Sequence, residues 1–126
     1  MKRTPLKRKS KSPKKTLTDK ADRALQDYYR RHFPEMKCEG CGQPFQLMHH
    51  YIKKSDSNNL RYDKDNLIFL CKTCHSKIHC YGKGQLIEGR IVLNRGQEWL
   101  DRIREKSQIH VSYSLKDYQN FIDKYG

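Results

Sequence analysis

Four cysteines in the middle of the chain form two Cys-x-x-Cys pairs, Cys38 with Cys41 and Cys71 with Cys74. The tight turn within such a pair offers two thiolates to one ion, so two pairs fill the four positions of a tetrahedral zinc site. A site closed by four thiolates has no open position for water or substrate. We therefore predict a structural Zn²⁺ site that clamps the strand near Cys38 to the entrance of a helix near Cys74.

Four histidines in the same segment predict a second metal site. His75 and His79 are spaced i and i+4, so on a helix they project from one face and can hold one ion together. His49 and His50 are adjacent within residues 47–52, which have the pattern of a strand, and neighbouring side chains on a strand point to opposite faces. One of these two histidines can therefore join the ion, while the other points elsewhere.

Two other interpretations of these residues are open. A classical zinc finger would use one cysteine pair with His75 and His79, but the 33 residues between Cys41 and His75 far exceed the usual spacing of about 12 to 15. It would also leave the second cysteine pair without a role. Alternatively, the histidines are ordinary surface or core residues beside a plain zinc ribbon. The clustering of four of the six histidines within 31 residues argues against this.

The composition excludes several classes of protein. The chain has 126 residues, a formal net charge of +13 and an apolar fraction of 35%, which predicts one small domain with a thin core. Its apolar runs are far shorter than the roughly 18 to 20 residues that cross a bilayer, and no apolar stretch follows the basic N-terminus. We therefore expect neither a membrane span nor a secretory signal. In the reducing cytoplasm that this implies, cysteines bind metal rather than form disulfides.

The first 15 residues hold eight basic and no acidic side chains, which is typical of a disordered arm that contacts nucleic-acid phosphates. The candidate contacts in this arm are Lys7, Arg8, Lys14 and Lys15. A solvated tail that only aids solubility is the alternative. The expected divisions of the chain are this basic arm (1–16), an N-terminal helix (17–35), the metal-binding segment (36–81) and a C-terminal region (82–126).

The remaining elements are predicted from periodicity and capping signals. Thr18 is the expected N-cap of the first helix, and Pro34 ends it. A second strand over residues 66–71 feeds the helix that carries His75, so the central order is strand, loop, strand, helix. Beyond it we expect a short strand over residues 90–93, a helix after Gly96, and a last helix beginning at Ser114 with a capping box. The fold class is therefore α+β.

The order His49-His50, Asn66, His75-x-x-x-His79 resembles that of the HNH endonucleases, and the enclosing cysteine pairs resemble the zinc-stapled branch of that family. The resemblance implies a ββα-metal fold and hydrolysis of phosphodiester bonds in DNA to give 5′-phosphate ends. It implies that His49, His75 and His79 bind a divalent ion such as Mg²⁺, Mn²⁺ or Ni²⁺, and that His50 is the general base. Asn66 would orient His50 by tying down the loop that follows it. A simple turn residue is the alternative for Asn66.

Basic residues in the loop between the strands are candidates for contacts with DNA phosphates. They are Lys53, Lys54 and Arg61, the last of which suits a bidentate contact, although solvated loop charges are an equally good interpretation. The sequences around His50, Arg61 and Gly96 also resemble phage NinG-type recombination proteins, which act on branched DNA. This would place the protein in the cytoplasm of a bacterial host cell. The small size and the single histidine site predict a monomer or weak dimer. The alternative function is a zinc-containing nucleic-acid-binding protein without catalysis.

Overall fold

The computed structural model describes residues 12–54, 57–80 and 84–126. This part of the chain contains five α-helices and one two-stranded sheet. Their bounds, in chain order, are α1 (Pro13–His32), β1 (Leu47–His50), β2 (Leu67–Leu70), α2 (Lys72–Ile78), α3 (Gly84–Arg95), α4 (Gln97–Ser107) and α5 (Leu115–Tyr125). The structure is therefore α+β, as the sequence predicts. No helix within the described residues combines the length and apolarity needed to cross a membrane.

The two strands and α2 form the centre of the molecule. The strands are antiparallel, with Leu47 opposite Leu70 and His50 opposite Leu67. Between them the chain makes two 3₁₀ turns, Asn58–Leu60 and Lys64–Asn66. Helix α2 begins directly after β2 because Cys71 is its N-cap, with the thiol accepting a hydrogen bond from the Cys74 N–H. The result is the predicted order of strand, loop, strand and helix.

Side chains alternate between the two faces of the sheet and form two hydrophobic clusters. On one face, Ile68 and Leu70 pack with three buried cysteines and with Ile87, Ile91 and Trp99 of α3 and α4. On the other face, Met48 and Leu67 pack with buried residues of α1 and α5. The sheet is thus covered on both sides, and each of its two faces is held by a different pair of helices.

Helix α1 begins at Pro13 rather than near Thr18, so residues 13–16 are helical and do not belong to a disordered arm. Ser12 is the N-cap, and its hydroxyl accepts a hydrogen bond from the Lys15 N–H. Proline is favoured at the first helical position because its missing N–H has no intrahelical partner there. Thr18 instead lies inside the helix, where its hydroxyl donates to the Lys14 carbonyl. Lys7 and Arg8 lie outside the described residues.

The strand predicted over residues 90–93 is wrong, because these residues belong to α3. Gly89 directly precedes them and favours a break in a helix, but it lies on an exposed helical face where an added Cβ would meet no atom within 4 Å. Ile87 and Ile91, spaced i and i+4, are both buried in the cluster that contains Ile68 and Leu70 of the sheet. Packing of this stripe outweighs the roughly 1 kcal/mol that a helical glycine costs relative to alanine.

The last two helices agree with the predicted pattern. Helix α4 buries Trp99, Leu100 and Ile103. Helix α5 begins at a complete capping box, in which the Ser114 hydroxyl accepts from the Asp117 N–H and the Asp117 carboxylate accepts from the Ser114 N–H. Asp117 thus fills a position at which glutamate or glutamine is more usual.

Candidate functional site

The four paired cysteines converge on one point between the sheet and α2. All four Sγ atoms lie within 4.8 Å of one another, and those of Cys41 and Cys71 are 3.6 Å apart. Four sulfurs about 2.3 Å from one tetrahedral zinc ion would be separated by about 3.8 Å. The residues therefore fit Zn²⁺. Cys38, Cys71 and Cys74 are buried and Cys41 is exposed.

The backbone around the tetrad is shaped to donate hydrogen bonds to sulfur. The Gly40 N–H lies 3.3 Å from the Cys38 Sγ, and the Cys74 N–H lies 3.4 Å from the Cys71 Sγ. Burial opposes ionisation of Cys71, but the hydrogen bond from Cys74 and those within the tetrad lower its pKa to about 7. An added Cβ at Gly40 would lie 3.0 Å from the Cys74 Sγ, so this position needs glycine. Cys71 thus favours the thiolate form that binds metal, whereas burial and the neighbouring thiols raise the pKa of Cys74.

Three imidazoles gather at β1 and the C-terminal part of α2. The Nε2 atoms of His75 and His79 are 3.3 Å apart, close to the separation of about 3.3 Å for two nitrogens bound to one tetrahedral ion at about 2.05 Å. The ring centre of His49 lies 5.4 Å from that of His75 and 6.4 Å from that of His79. This group is wider than the cysteine tetrad, but its donor set suits a divalent ion with open positions.

Two of these imidazoles, His49 and His75, lie where the neutral form is favoured. Burial lowers the pKa of His49 to about 3, and repulsion from the neighbouring imidazoles adds to the shift. Burial and the adjacent His79 also lower the pKa of His75. Because only a neutral imidazole can donate a lone pair to a metal, the site favours the ligand form at neutral pH.

His50 occupies the opposite side of β1 from His49, as strand alternation predicts. Its Nε2 lies 2.8 Å from the backbone carbonyl oxygen of Arg61. A carbonyl can only accept, so the hydrogen of the neutral ring is on Nε2 and the lone pair is on Nδ1. Burial lowers the pKa of His50, although the Arg61 carbonyl acts in the opposite direction. His50 is therefore a neutral imidazole with one nitrogen free to accept a proton.

Asn66 ties the chain after His50 to the start of β2. Its Oδ1 accepts from the Ile52 N–H at 2.8 Å, and its Nδ2 donates to the carbonyls of Ile52 and Leu60 at 3.0 and 3.3 Å. The side chain is fully buried. It thus makes the loop connection that the family resemblance implies, through both ends of its amide.

We expect replacement of Asn66 by alanine to lower the free energy of unfolding by about 2 to 4 kcal/mol. The change removes the Asn66 partner of the Ile52 N–H and carbonyl and leaves the Leu60 carbonyl with the Asp63 N–H alone. An unpaired buried polar group costs about 1 to 3 kcal/mol. Urea unfolding of the zinc-loaded protein measures this loss. Asn59→Ala is a matched control, because Asn59 makes one part-buried bond, to the Lys106 carbonyl. An equal loss in both variants would contradict the role given to Asn66.

All four histidines line one cleft of about 810 Å³ between β1, α1 and α2. The same cleft is lined by cationic side chains from α1 and from the loop between the strands. They are Lys15, Arg23, Lys53, Lys54 and Arg61. The cations named from the sequence in this loop, and Lys15 from the basic segment, therefore lie together beside the histidines, whereas the exposed Lys14 is not among the residues lining the cleft.

One acidic residue of the cleft, Asp22, was not among the site residues predicted from the sequence. Its carboxylate accepts from the Nε and Nη2 of Arg61 at 2.9 and 2.6 Å. A bidentate phosphate contact by that edge of Arg61 is therefore excluded while the ion pair is formed. No local pattern could have revealed Asp22, because its partner lies 39 residues away along the chain.

The antiparallel strands and the following helix form a small ββα module with four cysteines that could bind zinc. The family model of the HNH endonucleases matches residues 38–80, about a third of the chain. This segment is therefore an HNH domain, as the histidine and cysteine spacing predicts. No curated protein and no solved structure matches the chain. The looser similarity to NinG-type proteins stays a prediction from the sequence.

Proposed function

We propose that this protein is a metal-dependent DNA endonuclease that hydrolyses phosphodiester bonds at the histidine cleft. The observation that carries the proposal is His50, whose Nε2 is bonded to a carbonyl while the ring lines the same cleft as the three other imidazoles. A protein that only binds DNA has no need of a neutral base beside a three-histidine group.

In this proposal His50 is the general base. A water molecule bound in the cleft gives its proton to Nδ1, and its oxygen attacks phosphorus in line with the leaving 3′ oxygen. The Arg61 carbonyl keeps the ring in the tautomer that this step needs and stabilises the imidazolium that forms. Asn66 supports this arrangement by fixing the main chain two residues after His50.

His49, His75 and His79 would hold the catalytic divalent ion through neutral nitrogens. When bound, such an ion polarises the phosphate and stabilises the charge that develops on its oxygens and on the leaving group. Imidazole ligands favour transition metals such as Ni²⁺, while phosphate oxygens would let Mg²⁺ or Mn²⁺ serve. The four cysteines would hold Zn²⁺ with no open position, and so have a purely structural role.

Phosphate groups of the DNA would be held by the cations of the cleft. Lys53 and Lys54 are exposed on the loop beside His50, and Lys15 and Arg23 face the same space from α1. Arg61 would reach a phosphate through Nη1, since its Nε and Nη2 donate to Asp22. Lys7, Arg8 and Lys14 would extend this contact outside the cleft. Such contacts carry no base readout, so we propose low sequence specificity.

The proposal is tested by incubating linear, nicked and branched DNA with the zinc-loaded protein and Mg²⁺, Mn²⁺ or Ni²⁺. We expect cleavage with at least one ion, and loss of cleavage with a chelator. His79→Ala should raise the ion concentration needed for half-maximal cleavage by at least about tenfold, because even residues that only support a metal ligand contribute that much. Binding without cleavage under every condition would favour a non-catalytic nucleic-acid-binding protein.

The comparison of substrates also tests a narrower proposal. Preference for branched over linear DNA would support action on recombination intermediates in a bacterial host cell, as the NinG resemblance implies. One histidine cleft per chain would cut one strand at a time. Paired cuts in a duplex would then require two chains, so we propose a monomer or weak dimer that nicks DNA.

A further inference from the structure

We propose that Asp22 is a positioning residue for His50 and acts on it through Arg61. This inference rests on the proposed function only in giving His50 the role of the base. It adds to the HNH domain a residue of α1, which lies before the segment that matches the family.

The chain of contacts from α1 to the imidazole is short. Asp22 accepts two hydrogen bonds from the Arg61 guanidinium, and the carbonyl of the same arginine lies 2.8 Å from the His50 Nε2. Arg61 therefore links Asp22 to His50. Its side chain is bound by Asp22, and its main-chain carbonyl contacts the His50 ring. A shift of Arg61 would move the oxygen that sets the tautomer and direction of the His50 ring.

The main chain at Arg61 is otherwise held by a single 3₁₀ turn. Its N–H donates to the Asn58 carbonyl at 3.1 Å, and Asn66 binds the carbonyl of the preceding residue, Leu60. These contacts fix the loop on its buried side. On the side facing the cleft, the ion pair with Asp22 is the contact that ties Arg61 to α1.

Asp22 is held by several donors and is not a surface carboxylate that a DNA phosphate would displace. Its carboxylate also accepts from the buried Tyr62 hydroxyl at 3.1 Å, and Lys54 Nζ lies 3.5 Å away. The side chains of Arg61 and Asp22 are only 15% and 20% exposed. Burial opposes ionisation of Asp22, but these hydrogen bonds and charges hold its pKa below the usual value. A carboxylate fixed by this many donors is suited to hold Arg61 still.

The kinetic test compares Asp22→Asn with Asp27→Asn. Asparagine keeps the shape of Asp22 but loses the charge and one of the two acceptors that Arg61 uses. Asp27 is an exposed residue on the same helix whose ion pair, with Arg30, is longer at 3.3 Å. We expect Asp22→Asn to lower kcat about tenfold to a hundredfold without weakening DNA binding, because small misplacements of a reacting group cost that much. Asp27→Asn should behave as the native protein.

A double-mutant cycle tests whether Asp22 acts through Arg61. Arg61→Lys keeps the charge and the main-chain carbonyl but cannot bind a carboxylate in the bidentate form. If the two residues act as a unit, the double variant should lose no more kcat than either single variant. Additive losses would overturn the inference. So would native kcat with tighter DNA binding in Asp22→Asn, which would make Asp22 a competitor of phosphate.

A readout without DNA separates this inference from the proposed function. In the zinc-loaded native protein, the His50 Nε2 proton should give a slowly exchanging NMR signal, and its ¹⁵N shifts should report the Nε2–H tautomer. Asp22→Asn should broaden or remove that signal while Asp27→Asn keeps it. If Asp22→Asn does not fold, Tyr62→Phe removes one donor to the carboxylate and should weaken the signal. An unchanged signal in folded variants would overturn the inference, even in a protein that cleaves DNA.

Discussion

Replacing Cys71 by serine is expected to unfold the HNH domain. Cys71 is a member of the four-cysteine group, the N-cap of α2 and a buried residue of the hydrophobic cluster that contains Ile68 and Leu70. Structural zinc contributes about 10 to 16 kcal/mol in small zinc domains, whereas a whole domain is stable by about 5 to 15 kcal/mol. Loss of one thiolate therefore removes stability comparable to the total. Circular dichroism and zinc content per chain measure the effect.

Cys80→Ser is the matched control for this prediction. Cys80 is the remaining cysteine of the chain, is exposed, and does not belong to the tetrad. Its replacement should leave one zinc ion per chain and the native melting temperature. A Cys71→Ser protein that melts like the native protein while holding no zinc would contradict the structural role of the tetrad.

Replacing His50 by alanine is expected to lower the rate of DNA cleavage by about 10²- to 10⁴-fold, the usual contribution of a general base. The Nε2 of His50 is bonded to the Arg61 carbonyl, so Nδ1 is the ring nitrogen that would accept the proton of the water. Because His50 is not one of the three proposed ligands, metal affinity and DNA affinity should stay near their native values. Single-turnover cleavage at saturating metal measures the loss.

His110→Ala controls for the removal of an imidazole from the surface, since His110 is exposed and is not among the residues lining the histidine cleft. It should cleave DNA at the native rate. Equal rates for His50→Ala and the native protein would remove His50 as the base. Loss of zinc from His50→Ala would instead show that the effect is one of folding.

The pH dependence of the cleavage rate should also reflect the protonation of His50. A general base works only when it is unprotonated, and burial holds the pKa of His50 below its ordinary value of 6.5. The midpoint of the decline in rate at acid pH should therefore lie below pH 6.5. A decline centred above 6.5 would contradict a buried His50 acting as the base.

The central module was predictable from the sequence because its constraints are local. A Cys-x-x-Cys turn and two histidines one helical turn apart each place donor atoms together without help from distant parts of the chain. The alternation of His49 and His50 about the strand follows from backbone geometry in the same way. These patterns required no knowledge of which elements pack against the sheet.

The flanking helices were harder to predict because their ends depend on tertiary packing. The start of α1 was hidden because Ser12 and Pro13 resemble a linker when read with the basic residues around them. Gly89 looked like a break because the burial of Ile87 and Ile91 cannot be known before the sheet is assembled. Asp22 could not be assigned at all, since the ion pair with Arg61 exists only after α1 folds over the loop.

The pairing of the two short strands has a consequence for how this sequence can change. His49 pairs with Ile68 and His50 pairs with Leu67, on opposite faces of the two four-residue strands. Sliding β1 by a single position would move His50 to the face on which His49 now lies, so the proposed base would point toward the proposed metal ligands. Insertion or deletion of one residue between Phe45 and His49 should thus be far less tolerable than most substitutions there.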